Sequence, residues 1–228
     1  MSLYVIADTH LSLGTNKPMD EFDGWFNYVE RLKNNWNRLV TDNDVVVIAG
    51  DISWAVNFEE LLPDFQFIEN LNGKKIIVKG NHDFWWNTMS KMNKFLEENN
   101  FKTIRFLYNN SIEYEGVSIC GSRGWIFESE DDFDEKILRR ESLRIRRSLD
   151  EATTENKILF LHYPPVMTNA QCREVIDIMH EFNVKRCYYG HLHGDAINYS
   201  REGEIEGINF KLISADRLNF TPCLVRAD

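Results

Sequence analysis

The sequence predicts an α/β fold in which parallel and antiparallel strands are mixed, and two patterns carry this prediction. Short apolar runs alternate with longer amphipathic stretches along most of the chain, as expected for strands connected by helices. Closely spaced strand signals in the middle and at the C-terminal end add antiparallel hairpins. With 228 residues and a hydrophobic content of 43%, the chain can bury one substantial core, so we expect a single domain spanning residues 1–228.

The first half of the chain is predicted to alternate strands and helices. Its apolar runs stop at polar residues or glycine, whereas its longer stretches repeat apolar residues at helical spacing, as Val29, Leu32 and Trp36 do. Gly73 is placed to end one of these helices. The predicted strands are Leu3 to Ala7, Val45 to Ala49 and Ile76 to Val78, and the predicted helices are Met19 to Val40, about Phe58 to Leu71 and Thr88 to Asn100.

The middle of the chain changes character. Three successive short strands are predicted at Thr103 to Leu107, Ser111 to Tyr114 and Val117 to Cys120, the last two joined by a hairpin turn. The acidic segment Glu128 to Glu135 then leads into a basic run, Lys136 to Arg147, that also carries an apolar stripe. A solvated amphipathic helix with internal ion pairs is the favoured interpretation, and a surface that binds phosphate or a partner is the alternative.

The last third returns to strands and a helix and then ends in antiparallel hairpins. No internal repeat and no Pro/Gly-rich linker divides it from the rest of the chain. The predicted elements are the strands Lys157 to Leu161 and Arg186 to Tyr189, a helix from about Asn169 to Phe182, and hairpin strands at Ala196 to Tyr199, Ile208 to Ile213 and Cys223 to Val225, with a turn at the sequence REGE.

Charge and cysteine usage narrow the class of protein. The formal net charge of -10 and the pI of about 5.1 disfavour binding to extended nucleic acid, because phosphate contacts need a basic surface. A small phosphorylated substrate is compatible with this charge if metal ions or local arginines neutralise it. The four cysteines form no CxxC pair, which predicts reduced, packed thiols rather than a disulfide framework.

The sequence also bears on the location of the protein. Its N-terminal residues show no secretory signal, and no apolar run approaches the roughly 20 residues that span a bilayer. We therefore expect a cytoplasmic protein that is not associated with a membrane.

Polar side chains follow five of the apolar runs at the point where each run ends. Because open α/β sheets bind ligands at the carboxyl ends of their strands, we expect these side chains to lie close together. Five of the six histidines are in these turns, and His180 is the exception. The polar residues are Asp8 and His10 after the first strand, Asp51 after the second, Asn81, His82 and Asp83 after the third, His162 after Lys157 to Leu161, and His191 and His193 after Arg186 to Tyr189.

The donor types in these turns indicate metal chemistry. Carboxylate, amide and imidazole groups without thiolates suit manganese, iron or zinc. A carboxylate such as Asp51 can bridge two cations, and two ions held roughly 3.5–4 Å apart activate water and stabilise the oxygens of a phosphoryl group. The residues therefore favour hydrolysis of a phosphate ester at two divalent or trivalent transition metal ions.

Five motifs occur in an order that resembles the motif set of the calcineurin-like metallophosphoesterases. The motifs are DTH at Asp8 to His10, GD at Gly50 and Asp51, GNHD at Gly80 to Asp83, His162 alone, and GHLH at Gly190 to His193. The resemblance implies two mixed β-sheets packed as a sandwich and flanked by helices, with metals at the strand ends. It also implies the ligand sets: Asp8, His10 and His193 for one metal, Asn81, His162 and His191 for the other, and Asp51 as the bridge.

The resemblance leaves His82 without a metal. It implies that this histidine, oriented by the adjacent Asp83, meets the substrate and protonates the leaving oxygen. That role suits an imidazole because it titrates near neutral pH. His180 stands alone on a predicted helix and is interpreted as structural, and Asp195 is interpreted as a turn residue rather than a ligand.

The motif endings bear on the substrate. The third motif ends as GNHD and no Asp-Arg pair follows the second, whereas protein phosphatases of the superfamily usually carry GNHE and that pair. This difference favours a phosphodiester or a small nucleotide over a phosphoprotein. Arg123, in the sequence GSRGW, could clamp a phosphate or form a surface salt bridge. Five aromatic residues could line a wall for a flat group or could pack the helices on the sheet: Trp54, Phe84, Trp85, Trp86 and Trp125.

A non-catalytic metal-binding scaffold with the same fold is the alternative function. Such a scaffold would be expected to lose metal ligands or the metal-free histidine. None of these residues is missing from the sequence. The sequence therefore favours a metallophosphoesterase.

Overall fold

The computed structural model describes residues 1–125 and 132–225, with only the backbone described for residues 132–134. Within these ranges, two mixed β-sheets pack face to face, and helices cover their outer faces. The predicted α/β sandwich with flanking helices is confirmed. No helix in the same ranges combines the length and the apolar composition needed to cross a bilayer.

Eleven strands and five α-helices lie within the described ranges. The strands are β1 (Leu3–Ile6), β2 (Val45–Ala49), β3 (Lys74–Val78), β4 (Ile104–Phe106), β5 (Ser111–Tyr114), β6 (Val117–Ser122), β7 (Lys157–Leu161), β8 (Arg186–Tyr189), β9 (Gly203–Ile205), β10 (Ile208–Leu212) and β11 (Cys223–Val225). The helices are α1 (Tyr28–Leu39), α2 (Phe58–Glu69), α3 (Met89–Glu98), α4 (Asp132–Asp150) and α5 (Arg173–Glu181).

Parallel pairing dominates both sheets. The first sheet has the order β11-β1-β2-β3-β4, and the second has the order β5-β6-β7-β8-β10-β9. Neighbours among β1 to β4 are parallel, as are neighbours in the series β6, β7, β8 and β10, whereas β11, β5 and β9 add antiparallel edges. Within each sheet, the carboxyl ends of the central strands therefore lie at one edge.

Alternation along the central strands assigns their apolar side chains to two layers. In β2, Val45 and Val47 belong to the cluster between the sheets, while Val46 and Ile48 belong to the cluster under the helices of the first sheet. Successive side chains of a strand point to opposite faces, so a strand covered on both faces must be apolar at every position. β2 is buried along its whole length and meets this requirement.

The first helix begins later than the sequence predicts. The apolar spacing predicts a helix from Met19, but that region forms only a short 3-10 turn, and α1 begins at Tyr28. Asn27 has a left-handed conformation with φ of 53°, and its backbone N–H donates to the Asp20 carboxylate at 2.7 Å. This contact closes a loop in which Phe26, a residue that the helical pattern would bury, is 78% exposed.

The C-terminal hairpin also differs from the prediction. The predicted strand Ala196 to Tyr199 lies in a 3-10 helix, Gly194–Tyr199, and the sequence REGE leads into β9 instead of forming the turn. Glu206 and Gly207 form the turn between β9 and β10, with positive φ values of 51° and 76°. The last strand, β11, pairs with β1 of the first sheet rather than with β10.

Helix α4 carries the basic run of the sequence. Residues 128–131 of the predicted acidic segment Glu128 to Glu135 lie outside the described residues. Ile145 and Leu149 are buried on the inner side of α4, as the amphipathic interpretation requires. Two of the helix's arginines form ion pairs, one with Glu141 on the same helix and one with Glu181 on α5.

A buried lysine joins the end of α2 to the start of β3. The Lys75 side chain is fully buried, and its Nζ donates to the main-chain oxygens of Gly73 at 2.8 Å, Glu69 at 3.3 Å and Leu71. Nζ also donates to Thr103 Oγ1 at 2.9 Å. The last carbonyls of a helix lack partners within the helix and favour a nearby cation, so Lys75 satisfies the end of α2.

Replacing this lysine should destabilise the fold. We expect Lys75→Met to lower the free energy of unfolding by roughly 2–4 kcal/mol, because several buried carbonyl oxygens lose their donor. Equilibrium unfolding in urea measures the change. The control is Lys74→Met on the same strand, whose side chain is exposed and whose loss should cost less than about 0.5 kcal/mol. Equal costs for the two variants would contradict the role of Lys75.

Candidate metal centre

Loops from both sheets bring the predicted polar residues to one edge of the sandwich. Main-chain hydrogen bonds link the loops after β1 and β2, from Asp8 N to Gly50 O at 2.9 Å and from His10 N to Asp51 O at 3.0 Å. In the second sheet, the loops after β7 and β8 are joined from Gly190 N to the main-chain oxygen of His162 at 3.1 Å. Across the sheets, His191 N donates to the Asp8 carboxylate at 2.9 Å.

Four of the predicted ligand residues have a backbone conformation that non-glycine residues rarely adopt. Their φ values are positive: 56° at Asp8, 42° at His10, 50° at Asp51 and 72° at His191. Such conformations cost on the order of 1–3 kcal/mol each, and they cluster at functional sites because the surrounding structure holds them there. The turns therefore aim these side chains at a common centre at the expense of stability.

Two glycines leave the space that the candidate ligands occupy. A Cβ atom at Gly80 would overlap the carboxylate of Asp51, and one at Gly50 would lie 2.6 Å from Nδ1 of His162. Gly50 also has φ of 91°, which a side chain would strain. Any larger residue at either position would displace a candidate metal ligand.

The centre of the site is a cluster of two carboxylates and one imidazole. Ligand atoms of Asp8, Asp51 and His162 lie within 4.8 Å of one another, and all three residues are buried. His162 Nε2 is 3.4 Å from Asp51 Oδ2, and no lysine or arginine of the described chain forms an ion pair with either carboxylate. A cation is the partner that this cluster lacks, and the oxygen and nitrogen donors suit a transition metal.

The buried ring of His10 is a second observation that fits a metal ion at this site. Its ring is 1% exposed, yet neither ring nitrogen has a hydrogen-bond partner among the described residues. Nε2 lies 3.8 Å from Asp51 Oδ2 and 4.0 Å from Asp8 Oδ1. Burying an imidazole without partners is costly, so coordination to a metal beside the two carboxylates accounts for its placement.

The remaining predicted ligands lie on either side of this cluster. Oδ1 of Asn81 is 2.6 Å from Nε2 of His162 and 3.0 Å from Nδ1 of His191, which groups these three residues. The His193 ring lies 5.2 Å from the His10 ring on the other side. The structure thus brings the seven predicted side chains into two neighbouring groups, and their roles as ligands remain predictions.

Burial favours the neutral form of each of these groups. It raises the pKa of Asp51 to about 6, and together with the charge of Asp51 it raises the pKa of Asp83 to about 7. Burial also lowers the pKa values of His162 and His191 to about 3. Both histidines are therefore held neutral, which is the form that binds metals, while the carboxylates lack the positive charge that would keep them ionised.

Asp83 does not orient His82 in the way that the sequence predicts. Its buried carboxylate accepts hydrogen bonds from backbone N–H groups: Oδ2 from Gly80 at 2.7 Å and from Asp51 at 3.0 Å, and Oδ1 from Ile52 at 2.9 Å. These donors occupy both oxygens, and no hydrogen bond to the His82 ring is present in the described structure. Asp83 instead fixes the two loops that carry the site.

His82 lies beside the buried cluster and is itself half-buried, so it is more exposed than Asp51 and His162. Its backbone N–H donates to Asp51 Oδ1 at 2.8 Å, which anchors the residue to the cluster. The ring centroid is 4.6 Å from that of Trp54 and 5.9 Å from that of Phe84. An incoming substrate can therefore meet the imidazole while the backbone stays fixed.

The aromatic residues near the motifs divide into two groups. Trp54 stacks on His10 at 4.9 Å, and Phe84, beside His82, is 58% exposed, so both border the site. Trp85 is 2% exposed and belongs to the core, which excludes it from a substrate wall. Trp25, which packs its edge against His10 at 5.8 Å, was not identified from the sequence because its loop reads as helix.

Comparison with known sequences identifies a family. The sequence matches the family described as calcineurin-like phosphoesterase over residues 1–195. It is 30% identical over 86 residues to an uncharacterized protein of Methanocaldococcus jannaschii, covering 36% of this chain and 46% of that protein. The match thus spans less than half the length of that relative.

Two solved structures are similar over nearly their whole length. A protein of unknown function from Aquifex aeolicus has a TM-score of 0.53 at 18% identity, covering 98% of this chain and 95% of that chain. The phosphopantetheinyl hydrolase of Mycobacterium tuberculosis has a TM-score of 0.59 at 14% identity, covering 100% of this chain and 96% of that chain. At these identities the likeness concerns the fold alone.

A divalent cation should stabilise the folded chain. At a concentration one hundred times its Kd, a ligand of the folded state adds roughly 2.7 kcal/mol to the free energy of unfolding. Thermal unfolding after EDTA treatment, with and without added Mn²⁺, measures the effect. The stabilisation should shrink as the pH falls through about 6, because the buried Asp51 carboxylate then becomes protonated and no longer binds the cation.

Two variants make this measurement specific. Asp51→Asn should lose most of the Mn²⁺-induced rise in Tm, because the buried cluster loses one of its two carboxylate charges. His180→Ala, on the exposed side of α5, should retain the full rise. A rise in Asp51→Asn as large as that of the unmodified protein would show that the cation binds elsewhere.

Proposed function

The chain belongs to the calcineurin-like phosphoesterase family, and from this premise we propose that it hydrolyses a phosphate ester at a centre of two transition metal ions. Members of the family depend on metals, and a buried cluster that can hold one is present. The observation that carries the proposal is that cluster, Asp8, Asp51 and His162, beside the unpartnered ring of His10.

The candidate ligands divide around Asp51. The proposed first set is Asp8, His10 and His193, and the proposed second set is Asn81, His162 and His191, with Asp51 shared between them. The close approach of Asn81 to two histidines and of His10 to two carboxylates supports this division. Manganese, iron and zinc are the metals that suit these donors.

The protein's own residues position the ester and move one proton. When bound, the ions supply positive charge that acidifies the attacking water and neutralises the phosphoryl oxygens. We assign to His82 the donation of a proton to the leaving oxygen. In support, its ring nitrogens form no hydrogen bond with the described chain, and its backbone is anchored to Asp51. Trp54 and Phe84 border the approach to this ring and limit the water around it.

The proposed substrate class is a small phosphodiester or nucleotide. The GNHD ending and the missing Asp-Arg pair support it over a phosphoprotein. A non-catalytic scaffold is the second candidate function, and retention of all seven candidate ligands together with His82 supports the enzyme instead. A panel of phosphomonoesters, phosphodiesters and a phosphopeptide, each assayed with and without metal, separates the two.

Metal stoichiometry tests the binuclear centre. After reconstitution with manganese, iron or zinc, we expect two ions per chain by elemental analysis. Asp51→Asn should bind fewer than two, because the shared carboxylate loses its charge and one of its two equivalent oxygens. A stoichiometry that stays at or below one in the unmodified protein would refute the binuclear centre.

The role of His82 is tested through the leaving group. His82→Ala should keep two metal ions yet lose on the order of 10²–10⁴ in turnover on an alkyl phosphate ester, the usual contribution of a positioned acid. The loss should be much smaller on a nitrophenyl ester, whose leaving group departs as a stable anion. Rates on both esters and the metal content of the same preparation measure this.

Each alternative role of His82 has a distinct signature. Equal losses on the two esters with both metals retained would indicate that His82 positions the substrate. Loss of a metal ion would make it a ligand. His180→Ala is the matched histidine control and should leave both rates and the metal content at their original values.

A further inference from the structure

A small cleft lies at the carboxyl ends of β3 and β6, next to the candidate metal centre. It is lined by Lys79 after β3, Arg123 after β6 and Arg144 on α4, and we call it the basic cleft. Lys79 precedes Asn81 by two residues, and the main-chain oxygen of Arg123 accepts a hydrogen bond from His162 N at 3.1 Å. The basic cleft and the candidate ligands therefore share two loops.

Positive charge exceeds negative charge in the basic cleft. Glu141 is the one carboxylate among its described lining residues, and it is fully buried. Arg123 Nη2 lies 3.4 Å and Arg144 Nη1 lies 2.5 Å from Glu141 Oε1. The Lys79 side chain has no hydrogen-bond or salt-bridge partner among the described residues, and the carboxylates of Asp83 and Glu141 act on it only at longer range. Three cations thus face one carboxylate, in a chain whose formal net charge is -10.

Glu141 holds the two guanidinium groups in place. Its second oxygen, Oε2, accepts a hydrogen bond from Ser122 Oγ at 2.8 Å, so both of its oxygens are engaged. Arg123 is further fixed over the Trp125 ring at 5.2 Å, and its Nε is buried without a partner in the described structure. The ion pair that the sequence suggests for Arg123 is therefore made with a buried carboxylate, and it leaves Lys79 without a salt-bridge partner in the described structure. A site fixed in this way loses little entropy when an anion binds.

One aromatic ring separates the basic cleft from a candidate metal ligand. The Arg123 guanidinium carbon lies 5.9 Å from the centroid of the Tyr163 ring, and that ring lies 4.3 Å from the ring of His191. The basic cleft therefore lies two ring contacts from a candidate metal ligand, close enough for one molecule to reach both sites.

The size and charge of the basic cleft select the group it can take. Its cavity volume is about 20 Å³, far below the roughly 300–1,000 Å³ of pockets that enclose whole small molecules. It can therefore take one substituent rather than a complete nucleotide. Three cations outnumber one carboxylate among its lining residues, and although the nearby Asp83 carboxylate also acts on Lys79, the excess of positive charge favours an anion. Guanidinium groups suit phosphate oxygens.

We propose that the basic cleft binds a second phosphate group of the substrate, so that the preferred substrates are esters that carry one phosphate for cleavage and another for recognition. That the bound molecule is a substrate rests on the proposed function. That the basic cleft binds an anion rests on its lining residues alone. Lys79 is its specificity-determining residue, because it is the cation of the basic cleft that has no partner.

Kinetics on a matched pair of nucleotides test the specificity. Adenosine 3′,5′-bisphosphate and adenosine 5′-monophosphate differ only in the second phosphate. Lys79→Met should lower the ratio of their kcat/KM values by about tenfold, the effect of one lost charge-assisted hydrogen bond. Lys74→Met, at the opposite end of the same strand, should keep the ratio of the unmodified protein. An unchanged ratio in Lys79→Met would overturn the inference.

Binding of inorganic phosphate tests the anion site without catalysis. In calorimetric titrations of the full chain in EDTA, the unmodified protein and Lys74→Met should bind one phosphate, and Lys79→Met should bind it at least about tenfold more weakly. If phosphate binding follows this pattern but no ester is hydrolysed, the anion site stands and the proposed function fails. If esters are hydrolysed but all three proteins bind phosphate equally or not at all, the proposed function stands and the basic cleft is refuted.

Discussion

The buried carboxylate of Asp83 is the contact on which the geometry of the metal centre depends. It accepts backbone N–H groups from the loop after β2, at Asp51 and Ile52, and from the loop after β3, at Gly80. Asp51 in turn accepts the backbone N–H of His82. One side chain therefore sets the distance between the proposed bridging carboxylate and the proposed acid, although its own oxygens touch neither functional group.

Burial is the main cause of the displaced pKa values in the site, and aromatic packing contributes to that burial around His10. The rings of Trp54 and Trp25 cover His10, and Tyr28 donates its hydroxyl to the main-chain oxygen of the same residue at 3.0 Å. These rings exclude water from one side of the cluster. In such a medium the interaction between charges is stronger than in water, so a cation bound by Asp51 would be held more firmly than at the surface.

The fold class and the position of the site could be predicted because the central strands are built around short apolar runs. Such runs identify strands buried on both faces, and polar residues at their ends identify the edge where ligands bind. The hydrogen-bond partners of Asp83 could not be predicted in this way. Its position next to His82 in the chain suggests a contact with that ring, but the turn directs the carboxylate to backbone N–H groups instead. The basic cleft was beyond prediction as a unit, because Arg144 joins Arg123 only through the packing of α4 on the sheet. The apolar spacing around Phe26 predicts a helix, but the contact between Asn27 and Asp20 closes a loop there instead.

The division of the site between two sheets has a consequence for how the chain acquires it. Asp8 and Asp51 follow strands of the first sheet, whereas His162 follows a strand of the second. His162 is separated from both carboxylates by more than one hundred positions, so no local folding event can bring the three residues together, and pairings over such separations form slowly. The cluster is complete only once the two sheets have docked. Occupancy by a metal would therefore report assembly of the whole sandwich, and a chain whose sheets had each formed but not yet packed would have strands and helices without a competent centre.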